Sequence, residues 1–424
     1  MAAKNLKEEL EKFLPQNIIK TLYLCSEAAQ VFSLQIFLIG GAVRDILTEK
    51  NHFDTDITVE GNAVEFGHFL EKLFPKICKV KEIHDNFGTI KVIFVVDNQK
   101  IELDIASTRK ESYPYPGSLP KVEEIGCNLY EDVKRRDFSI NSMALSLNKE
   151  TFGDLTDYLG GYEDIGQKKI RILHEKSFID DPTRIIRALK FRVRFGYELE
   201  ETTKQLQESC LKSGMFDNLC GERIKSELKQ TFNLNKTKLL EIFLNENIYR
   251  LVDVDIKILE SSSKTYEETI LEYSKFINAD FVWLVYLGVL FSGFIKDKIS
   301  KIAEKLYLSG METSILMGAK ELLEKALLKE KSTNFEIYEF FEGFMPESIL
   351  IFLLIKSELK EKVDFYFKEL KDIKIYTTGQ MLIDLGLKPS PIFGEILRKL
   401  LKARINGEIS SEQEEKEFLK GLIS

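Results

Sequence analysis

"FLIGGAVRDILTEKNHFDTDITVEG", residues 37–61, decides how the rest of the chain is read. The apolar FLI runs into Gly40-Gly41 and then AVRDIL, a strand, turn and helix start whose free backbone N–H groups can cradle phosphate. Arg44 and Asp45 follow one turn into that helix, a cation facing phosphate and a carboxylate to orient it. In DTDITV the period-two geometry of a strand sends Asp54 and Asp56 to one face. Two anions so close repel unless a cation lies between them. Hard oxygen ligands in that arrangement suit Mg²⁺, and paired Mg²⁺ ions suit in-line phosphoryl transfer. Asp104, in the β-like run IELDIAS, is a third acid that a neighbouring strand can bring to the pair. Taken singly, Asp-x-Asp is most often a surface strand and Gly-Gly a plain turn; their succession carries the reading.

Composition sets the bounds. The chain has 424 residues and 44% apolar content, enough for a large core and two or more domains. MAAKNLKEELEKF at the start has neither the basic and apolar regions nor the cleavage site of a secretory signal, which points to the cytoplasm. FVWLVYLGVLFSGFI, Phe281 to Ile295, is shorter than the roughly 20 residues a membrane span needs and reads as a buried core helix. The five cysteines are scattered and read as inert core thiols, not as a disulfide framework or a zinc site. His84-Asp85 resembles half of a metal-hydrolase dyad but occurs once, inside a strand-like run. The net charge of −8 argues against bulk nucleic-acid affinity, although Pro182 to Gly196 holds Arg184, Arg187, Lys190, Arg192 and Arg194 with no acid.

Along the chain, the first 150 residues mix short β-rich runs (IFLI, DTDITV, KICKVKEI, TIKVIFVV, IELDIAS) with helical segments such as AVEFGHFLEKLF. From about Ile179 onward, apolar residues recur at three- and four-residue spacing in IIRALKFRVRF, ERIKSELKQTF and MPESILIFLLIK. ESSSKTYEE and LKEKSTNFE read as connections between helices. The expected architecture is an α/β head followed by an α-helical remainder.

In order, GGAVRD, DTD, RRDFSINSMAL (Arg135 to Leu145), DDPTRIIRALKF (Asp180 to Phe191) and ERIKSELKQ (Glu222 to Gln230) resemble the class II tRNA nucleotidyltransferases. These are the bacterial CCA-adding enzymes and their relatives, the bacterial poly(A) polymerases. The resemblance is continuous from Phe37 to Gln230, and a weaker likeness in GQMLIDLGLKPSPIFGEIL suggests the family's tail helices. It implies a nucleotidyltransferase head with a mixed five-stranded sheet in residues 1–150, a helical neck with base recognition in 151–230, and a helical body and tail for tRNA in 231–424. It also implies Asp54 and Asp56 as ligands of catalytic Mg²⁺, Asp104 as the third catalytic carboxylate, and Gly40, Gly41 and Arg44 beside the triphosphate. Arg136, Asp137 and Asn141 would hold ribose and phosphates. Asn141 is followed by Ser142 where the family usually has Ala, a small-for-small change.

Asp181 and Arg184, three apart, project from one helix face. Cytosine and adenine each pair an exocyclic amine with an unprotonated ring nitrogen, so an acceptor and a donor at these positions suit both; uracil and guanine would leave buried groups unpaired at about 1–3 kcal/mol each. The positions match the family's amino-acid template, with Asp180 where the family has Glu. Asp181 before Pro182 is equally a helix cap, a duty that needs no nucleotide. Arg187 lies one turn on. Arg109 matches a basic position at the start of the polar, turn-rich stretch Ser107 to Glu124, where the family has a mobile loop linked to adding the terminal adenosine.

The activity implied is the addition of AMP, with CMP before it, to the tRNA 3′ end from ATP and CTP, with release of pyrophosphate and no membrane partner. CCA addition and A addition after a separate CC-adding enzyme both remain open. A poly(A) polymerase is the nearest alternative, then a noncatalytic RNA-binding scaffold of the same fold, then a small-molecule nucleotidyltransferase.

Overall fold

The computed structural model describes residues 4–49, 55–214, 216, 218–256, 263–325 and 331–423. The chain divides into two compact units, residues 1–227 with 245–251, and residues 228–244 with 252–424.

In the first unit, a sheet is built from β1 (Ile36–Ile39), β2 (Asp56–Val59), β3 (Cys78–His84), β4 (Thr89–Val96) and β5 (Gln99–Ser107). A separate hairpin follows, β6 (Arg109–Ser112) with β7 (Lys121–Ile125). Two short strands, β8 (Ala144–Ser146) and β9 (Leu155–Thr156), then rejoin the sheet. The strand order is β3-β4-β5-β2-β1-β8-β9, antiparallel throughout except for β2 with β5. Seven strands thus stand where five were expected. The additional two are three and two residues long, too short to show a period-two pattern, and exist because β1 offers them an edge.

Along β5, Ile101, Leu103 and Ile105 are buried while Lys100, Glu102 and Asp104 are exposed, a clean two-faced strand. The apolar face is covered by α2 (Gln16–Phe32), preceded by α1 (Lys7–Phe13), and by α4 (Ala63–Leu73), leaving the acidic face open. Between them in sequence, α3 (Gly41–Leu47) starts at the end of β1. Asn62 caps α4 by accepting from the N–H groups of Val64 and Glu65. The unit continues through α5 (Leu129–Lys134), α6 (Gly161–Gln167), α7 (Ser177–Asp180), α8 (Thr183–Phe195), α9 (Glu201–Ser213) and the start of α10 (Gly221–Phe232), with a two-stranded ladder of Lys169–Ile170 and Glu198–Leu199.

The second unit is helical: α11 (Leu239–Asn245), α12 (Ser263–Glu272), α13 (Val282–Leu290), α14 (Lys296–Lys305), α15 (Gly310–Glu324), α16 (Asn334–Phe341), α17 (Pro346–Ile355), α18 (Lys360–Phe365), α19 (Gly379–Asp384), α20 (Ile392–Ile405) and α21 (Glu412–Ile423). All nine residues of α13 are buried, packed on α15 and α17, so the apolar run is a core helix as expected. Among the described residues, no helix is long and apolar enough to cross a membrane. α12 begins inside ESSSKTYEE, so the latter half of that segment is helix, not a connection; Tyr266 and Ile270 bury on one face and hold it there. Residues 382–422 form a small core of their own around Leu382, Leu400 and Leu419. Four of the cysteines are buried, and Cys220, just before α10, is exposed and so is not the core thiol expected.

Candidate active site

The open face of the sheet carries the acids. Parallel pairing of β2 with β5 sets Asp56 beside Asp104 and Ile57 beside Ile105. Neighbouring strands lie about 4.8 Å apart and in-register side chains share a face, so the two carboxylates stand side by side. Antiparallel pairing of β4 with β5 places Lys91 on the far side of Asp104, its Nζ 3.2 Å from Oδ1. Lys91, Asp104 and Asp56 therefore form one row across three strands. Asp54 lies outside the described residues. A cavity of about 630 Å³ opens beside the row, lined by Asp56, Asp104, Lys91, Glu102, Gln99 and Asn17 among others.

At the other side of β2, β1 ends at Ile39 and the chain turns at Gly40, whose φ of +71° and ψ of −123° favour glycine. A Cβ at Gly40 would sit 3.0 Å from Nη1 of Arg136, so the missing side chain also admits that guanidinium. Arg44 lies against the second glycine, its Nη2 3.5 Å from where a Cβ at Gly41 would sit. It is 5% exposed, its Nε donates to Asp45 (2.8 Å), its Nη1 donates to Asn141 (2.5 Å), and Phe191 and Phe195 pack against it. Burial lowers its basicity and Asp45 works against that loss. Arg44 is thus enclosed under the turn, not presented on the open face.

Asn141 passes the network on. Its amide donates to Asp137 (3.0 Å), which also accepts from Nε and Nη2 of Arg187 at 2.9 and 2.6 Å. Nη1 of Arg187 and Nζ of Lys190 both donate to Glu227 at 2.9 Å. Burial by itself would raise the Asp137 carboxyl, but Arg187 and the Asn141 amide outweigh it and hold it down to about 2. Arg187 is shifted upward: burial opposes its charge, and Asp137 with Glu227 more than restores it.

A second carboxylate, Asp132, went unnoticed in the sequence. It accepts from Arg135, Arg136 and the backbone N–H of Arg109, and although burial disfavours its charge these partners keep it below the usual range. Its spacing to Arg135 and Arg136, three and four residues on from a helix, was the available signal. Arg109 donates to Glu111 (2.6 Å) and to the Phe87 carbonyl (3.1 Å). The expected loop after it is a hairpin, because these charge pairs partly bury β6 and let it pair with β7.

Asp181 performs the capping duty: Oδ1 accepts from the N–H (3.1 Å) and hydroxyl (2.6 Å) of Thr183 at the start of α8. Its Oδ2 accepts from Arg223 at 2.5 Å, with Arg184 Nε further off at 4.0 Å. Arg184 is 4% exposed and donates to Ser177 Oγ (2.6 Å), the Arg135 carbonyl (2.9 Å) and the Tyr113 hydroxyl (3.2 Å). Tyr113, Arg223 and Glu227 are partners that only the folded chain identifies.

Comparison with known proteins is consistent across three lines. Residues 36–171 match the Poly A polymerase head domain family. The chain is 31% identical to the A-adding tRNA nucleotidyltransferase of Geobacter sulfurreducens over 96% of its own length, but spans about half of that relative (47%). It is 30% identical to the A-adding tRNA nucleotidyltransferase of Halalkalibacterium halodurans, covering 99% of this chain and 96% of the other. A solved structure of the Thermotoga maritima CCA-adding enzyme complexed with tRNA superposes with a TM-score of 0.78 at 26% identity, over 100% of both chains.

Proposed function

The chain belongs to the bacterial class II tRNA nucleotidyltransferases, and from that premise we propose that it adds AMP, with CMP before it, to the 3′ end of tRNA, releasing pyrophosphate. The observation that carries this is the in-register pair Asp56 and Asp104 on an open sheet face, one strand from the glycine turn. The head, residues 1–150, supplies the chemistry; 151–230 reads the base; 231–424 holds tRNA by backbone charge and shape. Cytoplasmic tRNA is the substrate.

Two aligned carboxylates with no competing soft ligand fit a hard divalent cation, so Asp56 with Asp54, and Asp104 beside them, would hold Mg²⁺. When bound, Mg²⁺ supplies positive charge to the reacting phosphoryl oxygens. The chain's own residues do the rest. Gly41 and Arg136 offer a backbone N–H group and a guanidinium to the triphosphate, Gly40 makes the turn with its own N–H donated to the Met143 carbonyl (3.2 Å), and Arg44 and Arg109 brace that end of the site. Asp137 and Asn141, held by Arg187, orient the ribose. Asp181 accepts from the exocyclic amine of cytosine or adenine while Arg184 donates to the ring nitrogen. The 3′-hydroxyl oxygen then bonds to the α-phosphorus as the α–β bridge breaks.

The test is a gel of products from tRNA ending at the discriminator base, after C and after CC, with Mg²⁺ and CTP, ATP or both. Completion of CCA from the discriminator base is expected. Extension of the CC-ended tRNA only would assign A addition and require a separate CC-adding enzyme. A long adenosine tail on an unrelated RNA would mean a poly(A) polymerase, and no incorporation with any RNA would defeat the reading.

A further inference from the structure

We propose that Lys91 and the cavity beside it receive the sugar-phosphate backbone of the RNA strand whose 3′-hydroxyl is extended. This rests on the nucleotidyltransferase reading above and adds the direction from which the strand enters.

The order across the sheet carries the inference. From one side to the other run β4 with Lys91, β5 with Asp104, β2 with Asp56, and β1 leading into Gly40-Gly41. In an in-line displacement the attacking and leaving oxygens lie on opposite sides of the reacting phosphorus. The glycine turn and helix start at the β1 end suit the triphosphate. The leaving pyrophosphate therefore lies toward β1, and the attacking strand must come over β5 and β4.

An RNA backbone arriving there meets Asp104 and Glu102 and is repelled unless a cation intervenes. Lys91 is that cation. Its ammonium is 3.2 Å from Asp104 and 4.0 Å from Glu102, and the side chain is 29% exposed. Lys81 lies 2.6 Å from Glu102 and takes up much of that acid's charge. An ammonium has three donors, so contact with Asp104 does not exhaust Lys91. The cavity continues from the acid row past Glu102 to Lys100, Gln99 and Asn17. At about 630 Å³ it falls within the roughly 300–1,000 Å³ of pockets that take nucleotide-sized ligands.

The experiment measures equilibrium binding of CC-ended tRNA, without nucleotide, to the full-length wild type, Lys91→Ala and Lys91→Arg at several salt concentrations, followed by steady-state kinetics with ATP. Lys91→Ala should weaken tRNA binding about tenfold and make the slope of log affinity against log salt shallower by about 0.7, the loss of one phosphate contact on a single strand. Lys91→Arg should restore both, and KM for ATP should stay within about twofold because the contact is on the other substrate. An unchanged salt slope, with kcat reduced or with KM for ATP raised, would overturn the inference by making Lys91 a support for Asp104 or a triphosphate contact. If the wild type extends no RNA, the activity reading falls while the binding slope still decides the role of Lys91.

Discussion

Two buried acids, Asp137 in the first unit and Glu267 in the second, are held in opposite ways. In the first, Asp137 is surrounded by donors: two nitrogens of Arg187 and the amide of Asn141 hold it ionised at about 2. In the second, Glu267 on α12 is 3% exposed and, among the described residues, neither carboxyl oxygen has a hydrogen-bond partner at normal geometry. Burial pushes its carboxyl up to about 7; the Leu239 N–H directed toward it does not offset this, and Glu241 and Glu268 reinforce it. A buried charge is cheap to keep only when its partners are already in place. Asp137 has such partners around it, whereas Glu267 is packed without them, although Glu415 in the same unit accepts from the N–H groups of Tyr376 and Thr377.

The largest effect should come from breaking the paired case. Asp137→Ala leaves Arg187 with Glu227 alone and Asn141 without its acceptor, a loss of about 3–5 kcal/mol. Faster amide hydrogen exchange across α8 would register it, and unchanged protection there would refute the pairing as a source of stability.

Glu267→Gln tests the unpaired case. Because the folded carboxyl titrates above the unfolded one, the native state holds the extra proton between about pH 4 and 7, so stability is full below about 4 and falls as pH rises to 7. The amide removes that loss and should stabilise the second unit by roughly 3 kcal/mol at pH 8 and hardly at all at pH 4. Trp283, the only tryptophan, is fully buried in this unit and its fluorescence follows urea unfolding there. An equal shift at both pH values would assign the effect to packing.

The acid limb has the reverse sign. Asp137 is depressed, so its contribution is present above about pH 4 and lost as pH falls to about 2, roughly 2 kcal/mol. Asp137→Asn should flatten the dependence of α8 protection over that window. Smallest of all, Arg398→Ala removes an exposed cation that bonds Glu339 and Glu342 on the surface of the second unit. Its cost should stay below about 1 kcal/mol in the same fluorescence assay, and a larger value would show that pairing matters without burial.

Much of the candidate site was visible as residue type and spacing. Asp56 and Asp104 each sit in an alternating β run, and Gly40 sits where a strand turns into a helix. Asp181 was readable both as a cap and as a base reader, and the structure shows the cap in use while Arg223 occupies its other oxygen. Lys91 left no trace, since a lysine in TIKVIFVV acquires meaning only from the strand that pairs with it. The hairpin β6–β7 was hidden for a related reason: its strands are charged, and the partial burial of β6 depends on Arg135 and Asp132 from elsewhere in the chain.

Local periodicity and turn chemistry, which depend on residues within a few positions of one another, were enough to determine the two-faced strands, the core helix at Val282–Leu290 and the order of motifs that marks the family. Only the folded chain decided that Lys91, Asp104 and Asp56 share a row, that Asp137 meets Arg187 fifty residues away, and that Glu267 is buried with only the Leu239 N–H directed toward it among the described residues. Strand register and long-range charge pairing are set by which segments close on one another, and a linear pattern does not encode that choice at any one position.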